Sequence, residues 1–352
     1  MGFYQAMQLS AANLKPLIKN AESKEIKNKY IAALILKSIL CLLFCTIVVI
    51  SFGKVFGEEN NVVGVVTVIS LLNFRFSNLD FKVRQAALTI VGIFGVLSIS
   101  PYIASISNPF LGFIINFISI IGILILTCHN VRLCNHSILV LSYFLLYGYK
   151  VENTEILINR IIGLIFGGIL VASIFYIKQR KIEFKNTFID IINDVDFNTE
   201  RTKWQLKFAF VTISAIMIGE FLHIPRTMWI GIACMSVFHP DKSQLQIRYK
   251  QRMLYMVLGC LMYMSIYFLI PQQFRGLIGL IGGVMIGFSG TYKWQTVFNA
   301  FGALSAATPI LGFGGAIIFR ILNNVFGALY SKGFDYIINF IDNKEFANVN
   351  EA

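Results

Sequence analysis

Apolar runs of about 20 residues recur along the whole chain, the length a helix needs to cross the hydrocarbon layer of a bilayer. Trp204 to Leu222 is one such run. Much shorter runs lie between the long ones. Met228 to Phe238, between the Pro225 corner and His239-Pro240, covers about eleven residues, or roughly 16 Å at 1.5 Å per residue. That is half of a core about 30 Å thick. A chain written this way folds in lipid as helices, some of which stop inside protein, because unpaired backbone at depth is tolerated only there or beside a water-filled cavity. The composition agrees: 56% of residues are hydrophobic and 14% charged, with a mean hydropathy of +0.70, outside the range of soluble domains.

Twelve segments follow in order. The first half holds Tyr30–Ser51, Val62–Leu72, Gln85–Ile103, Phe110–Cys128, His136–Tyr147 and Ile156–Ile177. The second holds Trp204–Leu222, Met228–Phe238, Met253–Ile270, Phe274–Ser289, Thr296–Leu311 and Ala316–Tyr330. Segments 2, 5, 8 and 11 read as short or broken. The expected fold is therefore an all-α polytopic membrane protein with about twelve segments, arranged as two parallel six-segment repeats over 30–177 and 204–331. Residues 1–29 are basic and mixed in polarity, without the uninterrupted apolar region of a signal peptide, and read as an amphipathic cytoplasmic segment. Residues 178–203 read as a cytoplasmic linker helix, with Ile182, Phe184, Phe188, Ile191, Ile192 and Val195 at roughly helical spacing among charges. Residues 332–352 read as a cytoplasmic tail.

The net charge of +12 is distributed rather than clustered in a nucleic-acid-reading module, for which no soluble stretch is long enough. Arg75, Lys82, Arg84, Arg132, Lys178, Arg180, Lys181, Lys185, Lys242, Arg248, Lys250, Arg252 and Lys293 fall in one set of loops. The other set holds only Lys54, Lys150, Arg226 and Arg275. The positive-inside rule then puts both termini in the cytoplasm of a multi-pass cell-membrane protein. The halves also match in residues: Arg160…Phe166-Gly167 with Arg320…Phe326-Gly327, and Gly92 with Gly259.

Candidate site residues follow from what an apolar helix does not ordinarily hold. Arg160 and Arg320 lie in apolar helices, where an unpaired cation costs about 2.5–3.5 kcal/mol on insertion scales. They read either as snorkelling residues or as an anion-attracting pair. Arg84 and Arg252 enter their helices from the basic side and read as orientation signals or as a cationic vestibule. Glu220, with His223 one turn on, is the proton-coupling candidate; the alternative is an interfacial carboxylate paired with Arg226. Trp229 and Phe238 offer aromatic surface, and Asn135 and His136 cap or line the start of segment 5. Cys128, His129, Cys134 and His136 have the composition of metal ligands but not the spacing of a zinc site. No nucleophile elbow, P-loop, zinc-protease or dinucleotide motif is present, so neither an enzyme nor a cofactor is expected.

Thr199-Glu200-Arg201-Thr202-Lys203-Trp204, then Pro225-Arg226-Thr227-Met228-Trp229, then the basic run into Gly259 resemble the FUSC family of fusaric acid resistance-like proteins. That family is related to bacterial aromatic acid exporters and, distantly, to plant aluminium-activated malate channels. Cys128 to Ser137, Trp294 to Ala300 and Arg320 to Asn324 are similar to a compact Gram-positive branch. The resemblance implies efflux of small, aromatic organic acids driven by the proton motive force, with a small organic anion and the lipid bilayer as partners and a homodimer left open. A passive organic-anion channel and a non-transporting envelope scaffold remain as alternatives. If the repeats meet about an axis along the membrane normal, segments 2, 5, 8 and 11 line a path between the halves.

Overall fold

The computed structural model describes residues 1–133 and 135–350, and the side chains of all of these except Lys242 and 341–350. Among the described residues the regular structure is helical. Two short helices, α1 (Phe3–Gln8) and α2 (Ala11–Lys19), precede α3 (Lys24–Phe56). Then come α4 (Asn61–Phe74), α5 (Val83–Ile106), α6 (Pro109–Thr127), α7 (His136–Gly148) and α8 (Thr154–Gln179). After α9 (Phe188–Asn193) follow α10 (Glu200–Phe221), α11 (Met228–Val237), α12 (Lys242–Leu269), α13 (Ile278–Phe288) and α14 (Tyr292–Asn350). Among the described residues, seven helices are long and apolar enough to cross a bilayer. Many large apolar side chains, such as Ile47 and Leu88, face outward, as lipid-facing residues do.

Local chemistry sets the helix ends. Gly57, at φ 94, breaks the chain between α3 and α4 in a conformation that disfavours side chains. The α10–α11 turn contains two non-glycine residues in the left-handed region, His223 (φ 51) and Arg226 (φ 60). At the other end of α11, Pro240 disfavours helical backbone at His239. Those two boundaries hold α11 to 10 residues, about 15 Å.

Two expectations need correcting. Segment 11 is not short: α14 is helical from 292 to 311, about 30 Å, before Gly312 (φ 70, ψ 166) interrupts it. The polar start Tyr292-Lys293-Trp294-Gln295 hides the first turn of that helix from a hydropathy reading. The shorter helix nearby is α13, with 11 residues. The linker is also less helical than its spacing implies. Only α9, 6 residues long, forms there, opened by a Thr187/Asp190 capping box and anchored by buried Ile191.

The chain packs as two compact units, residues 1–47 with 246–325, and residues 48–245 with 326–352. In the first, Ala6, Ala11, Leu14, Ala33 and Leu34 form a small core that ties α1 and α2 to α3. Gly259 of α12 is pressed against Val297 and Ala300 of α14. Tyr255 lies against Trp294 and Tyr263 against Phe301, so α12 and the stretch before Gly312 run parallel. Beyond Gly312 the direction reverses, because Phe313 stacks on Tyr267 at 4.3 Å while Asn324 meets Arg252, fifteen residues earlier in α12. Pro309 and Gly312 make that reversal.

In the second unit, α5 packs along α6, α7 and α8; α4 packs on α7 and α8; α10 packs on α6 and α11. Close approach depends on glycine. A Cβ on Gly167 of α8 would sit 2.2 Å from Thr67 Oγ1 of α4. One on Gly327 of α14 would sit 2.6 Å from the Ile230 carbonyl of α11, and Cys234 Sγ donates to the Gly327 carbonyl at 3.2 Å.

Candidate functional site

Two groups of buried polar side chains in the second unit lie at the two ends of α7. At the end where α7 begins, Asn135 joins the α4–α5 and α6–α7 connections. Its Oδ1 accepts from Ser77 Oγ at 2.6 Å and Asn73 Nδ2 at 3.3 Å, and its Nδ2 donates to the carbonyls of Asn78 and Thr127, each at 2.9 Å. The fully buried amide thus satisfies loop groups that helices α4 and α6 leave open at their ends. Beside it, the His136 ring packs edge-on against Trp204 and Phe208, with centroids 5.1 and 5.4 Å away. Phe208 in turn meets Phe238 at 6.5 Å. Sequence reasoning named His136 and Phe238 separately; the fold brings them into one aromatic cluster through Trp204 and Phe208. Trp204 is 8% exposed, and its indole Nε1 has no hydrogen-bond acceptor. A buried N–H without a partner costs about 1–3 kcal/mol.

At the opposite end, two arginines converge on the C-terminus of α7. Arg160, 3% exposed, donates from Nε to Asn60 Oδ1 at 3.0 Å and from Nη1 to the Tyr149 carbonyl at 2.5 Å. Asn60 Nδ2 donates onward to the carbonyls of Phe56 and Ile156. Arg226 reaches the Gly148 carbonyl at 3.4 Å and lies over the Tyr149 ring. Cations at the carbonyl end of a helix match its dipole and its unpaired acceptors. The Arg160 guanidinium thus fastens the start of α4, the end of α7 and α8 together.

Glu220 sits at this same end. Its carboxylate accepts from Thr227 Oγ1, the residue before α11. The Tyr147 hydroxyl of α7 neighbours both Glu220 and Asn116. Tyr143 Oη donates to Asn116 Oδ1 at 2.8 Å, and Ser119 lies beside Tyr143. A file of polar groups thus runs from Thr227 and Glu220 through Tyr147, Asn116 and Tyr143 to Ser119. Asn116 and Ser119 are seven and ten residues into α6, about 11 and 15 Å from its start. Sequence reasoning found Glu220 but missed Asn116, Tyr143 and Tyr147. An asparagine within the apolar run Phe110–Cys128 was the available signal.

The remaining candidates separate. Trp229 is buried in the first turn of α11 and Arg84 is exposed at the start of α5. Arg252 lies in the other unit, 4% exposed, with Nε and Nη2 both on Asn324 Oδ1 at 3.0 and 2.7 Å. Asn324 Nδ2 donates to the carbonyl of Arg320, which is 4% exposed. In the Arg160/Arg320 register, Leu164 stands where Asn324 does, so the acceptor that Arg252 finds at Asn324 has no counterpart at that position of the first half. Among the metal-like residues, Cys128 Sγ contacts Thr127 Oγ1, His129 Nδ1 is 3.0 Å from Arg201 Nη1, and His136 is among rings; Cys134 lies outside the described residues.

Long apolar helices, short helices stopped inside protein and buried polar files define a multi-pass helical membrane protein. The family model of fusaric acid resistance protein-like proteins matches residues 213–331, and over that stretch the FUSC resemblance read from the sequence is borne out. The match includes Glu220, Trp229, Phe238, Arg252 and Arg320; Arg84, Asn135, His136 and Arg160 lie outside it. No curated protein and no solved structure matches the chain.

Proposed function

We propose that the chain is a membrane transporter that exports small organic anions, aromatic acids among them, in exchange for protons. The observation that carries this reading is the polar file ending on Glu220. A carboxylate within a membrane helix, joined by hydroxyl and amide groups toward the middle of the bundle, has the chemistry of a proton-accepting group that alternates between environments. The match to fusaric acid resistance-like proteins supports export. At the other end, the cluster of His136, Trp204, Phe208 and Phe238 offers ring surface, with the unpaired Trp204 N–H as a donor for a carboxylate.

The proposed orientation has both termini in the cytoplasm, so the aromatic cluster is the inner end of the unit and Glu220 the outer. The proposed architecture is twelve spans in two repeats. Its support is that the same kind of contact recurs at matched residues. Thr67 meets Gly167 and Cys234 meets Gly327, each pairing a short helix with the last helix of its half. The roles of Arg84, Arg252 and Arg320 in gathering anions are weaker under this reading than their roles in orientation and packing.

The test is uptake of a labelled aromatic acid, 4-hydroxybenzoate, into inverted vesicles carrying the protein, with and without an imposed pH gradient. Glu220→Gln should abolish the gradient-dependent part while the protein inserts normally. Gradient-driven uptake at the parental rate would eliminate Glu220 as the coupling group. Uptake that follows the anion gradient alone in both proteins would make the protein a channel.

A further inference from the structure

A groove of about 800 Å³ opens on the surface of the second unit between α5 and α6. It belongs neither to the aromatic cluster nor to the polar file's outer end. Leu88, Gly92 and Val96 line one wall, Ile118 and Gly122 the other, and Phe188 of α9 closes one end. A Cβ at Gly92 or Gly122 would meet nothing within 4 Å, so the two glycines hollow the groove rather than serve close packing. Leu88 and Ile118 are 72% and 65% exposed, so the opening faces sideways, where a membrane helix meets lipid.

Three features define what fits. The lining runs from Gln85 to Ser100 of α5, about 22 Å of helix, a long and narrow apolar trough. Three of the polar atoms along it are engaged within the protein: Thr89 Oγ1 donates to the Gln85 carbonyl at 3.0 Å, Ser119 Oγ to the Ile115 carbonyl at 2.7 Å, and Gln85 Oε1 accepts from the Phe188 amide at 2.8 Å. At its α9 end the surface carries the three cations Lys82, Arg84 and Lys185 alongside the exposed carboxylates Glu183 and Asp190, the latter near enough to Lys82 to feel its charge. The Lys82 amide bonds to the Asn186 carbonyl at 2.9 Å, which brings exposed Lys82, Arg84 and Lys185 to one rim. Arg84 is one helical turn before Leu88. Asp190, the acidic residue of α9's first turn, is occupied by the Thr187 amide and hydroxyl at 2.7 and 2.8 Å.

We propose that this groove holds an acyl chain of an anionic membrane phospholipid, taken from the leaflet on the α9 side, with its headgroup against Lys82, Arg84 and Lys185. α9, with Ile189 exposed beside buried Ile191, then lies at the headgroup boundary and closes the end of the site. The inference needs the protein only to sit in a bilayer and is independent of transport activity.

The experiment reconstitutes the full chain in phosphatidylcholine vesicles doped at equal mole fraction with diazirine-acyl phosphatidylglycerol or diazirine-acyl phosphatidylcholine. Photolabelled peptides are then mapped by mass spectrometry. Residues 85–126 should take more label from phosphatidylglycerol, by about fivefold for each cation engaged, while the exposed α8 face around Ile158, Ile162 and Ile169 labels equally from both lipids. Gly92→Leu with Gly122→Leu, which adds side chains where a Cβ would meet nothing within 4 Å, should remove the label from α5 and α6 and leave α8 unchanged. Arg84→Gln with Lys185→Gln should bring phosphatidylglycerol down to the phosphatidylcholine level. Equal labelling of groove and α8 by both lipids, or labelling that survives the filled groove, overturns the proposal. So does efficient disulfide formation between two copies of a Gly122→Cys variant, which would assign the groove to self-association.

Discussion

Removing the guanidinium of Arg160 separates a structural cation from a ligand-binding one. Arg160→Met keeps the length and apolar stem but abandons two acceptors, Asn60 Oδ1 and the Tyr149 carbonyl. A hydrogen bond from a charged donor contributes about 1.5–3 kcal/mol in soluble proteins. Inter-helix polar contacts measured in bilayers are weaker, about 0.6 kcal/mol on average and 1.7 at most. Two bonds at a site 3% exposed then give a loss of about 2–4 kcal/mol, roughly 30-fold to 10³-fold in the folding equilibrium. Arg160→Lys should recover about half, because a point charge cannot span both acceptors as the fork does. Reversible unfolding in mixed micelles measures this, and a cycle with Asn60→Leu isolates the pair, with an expected coupling of about 1 kcal/mol. Arg160→Met unfolding within about 0.5 kcal/mol of the parent, a typical surface effect, would refute the tie and return Arg160 to the list of anion-binding candidates.

Four further outcomes follow from the packing. Gly327→Leu should prevent α14 from seating on α11 and sharply reduce folded protein on detergent gel filtration, since even a Cβ would lie 2.6 Å from the Ile230 carbonyl. Gly92→Ala should fold as well as the parent, because nothing lies within 4 Å of the added carbon. Arg252→Gln should destabilise the first unit through Asn324, whereas Arg84→Gln, at an exposed position, should change unfolding by less than about 0.5 kcal/mol. The His129 imidazole, in the α6–α7 loop, is held below its ordinary value first by burial and then by Arg201, against the opposing pull of Asp194 and Asp80. Its folded state therefore binds fewer protons than the unfolded chain between the lowered value and about 6.5, so stability should fall as pH drops below about 6.5. His129→Gln should flatten that slope.

The sequence made the helices legible because a membrane helix is specified by length and apolarity, and both are read along one dimension. Val62–Leu72, His136–Tyr147 and Met228–Phe238 each fall on a helix of 10 to 14 residues. Where polar residues begin a helix, as at Tyr292 to Gln295, the same criterion starts it too late. The polar partners were less legible because they lie far away in sequence. Arg160 and Asn60 are 100 residues apart, Arg252 and Asn324 72 apart, and Gln205 reaches across 81 residues to Leu124. An arginine inside an apolar run shows that something must satisfy it; it does not show which loop carbonyl or amide does.

That distinction sharpens the proposed repeat. In register, Arg160 answers Arg320 and Gly167 answers Gly327, but the partners of the basic residues differ between the halves. Asn324 holds Arg252 out of solvent, whereas its counterpart Leu164 is a buried apolar side chain and Arg84 is exposed. Gly259 closes α12 onto α14, whereas its counterpart Gly92 opens the groove between α5 and α6. If the halves began alike, one has kept its arginine and its glycine for packing, and the other presents both at a lipid-facing surface. A single substitution tests that division: if, as proposed, Arg84 takes its partner from the headgroup layer, Leu164→Asn should leave lipid labelling of the groove unchanged. If Leu164→Asn instead collapses the phosphatidylglycerol preference, the rim cation is positioned by helix packing rather than by lipid.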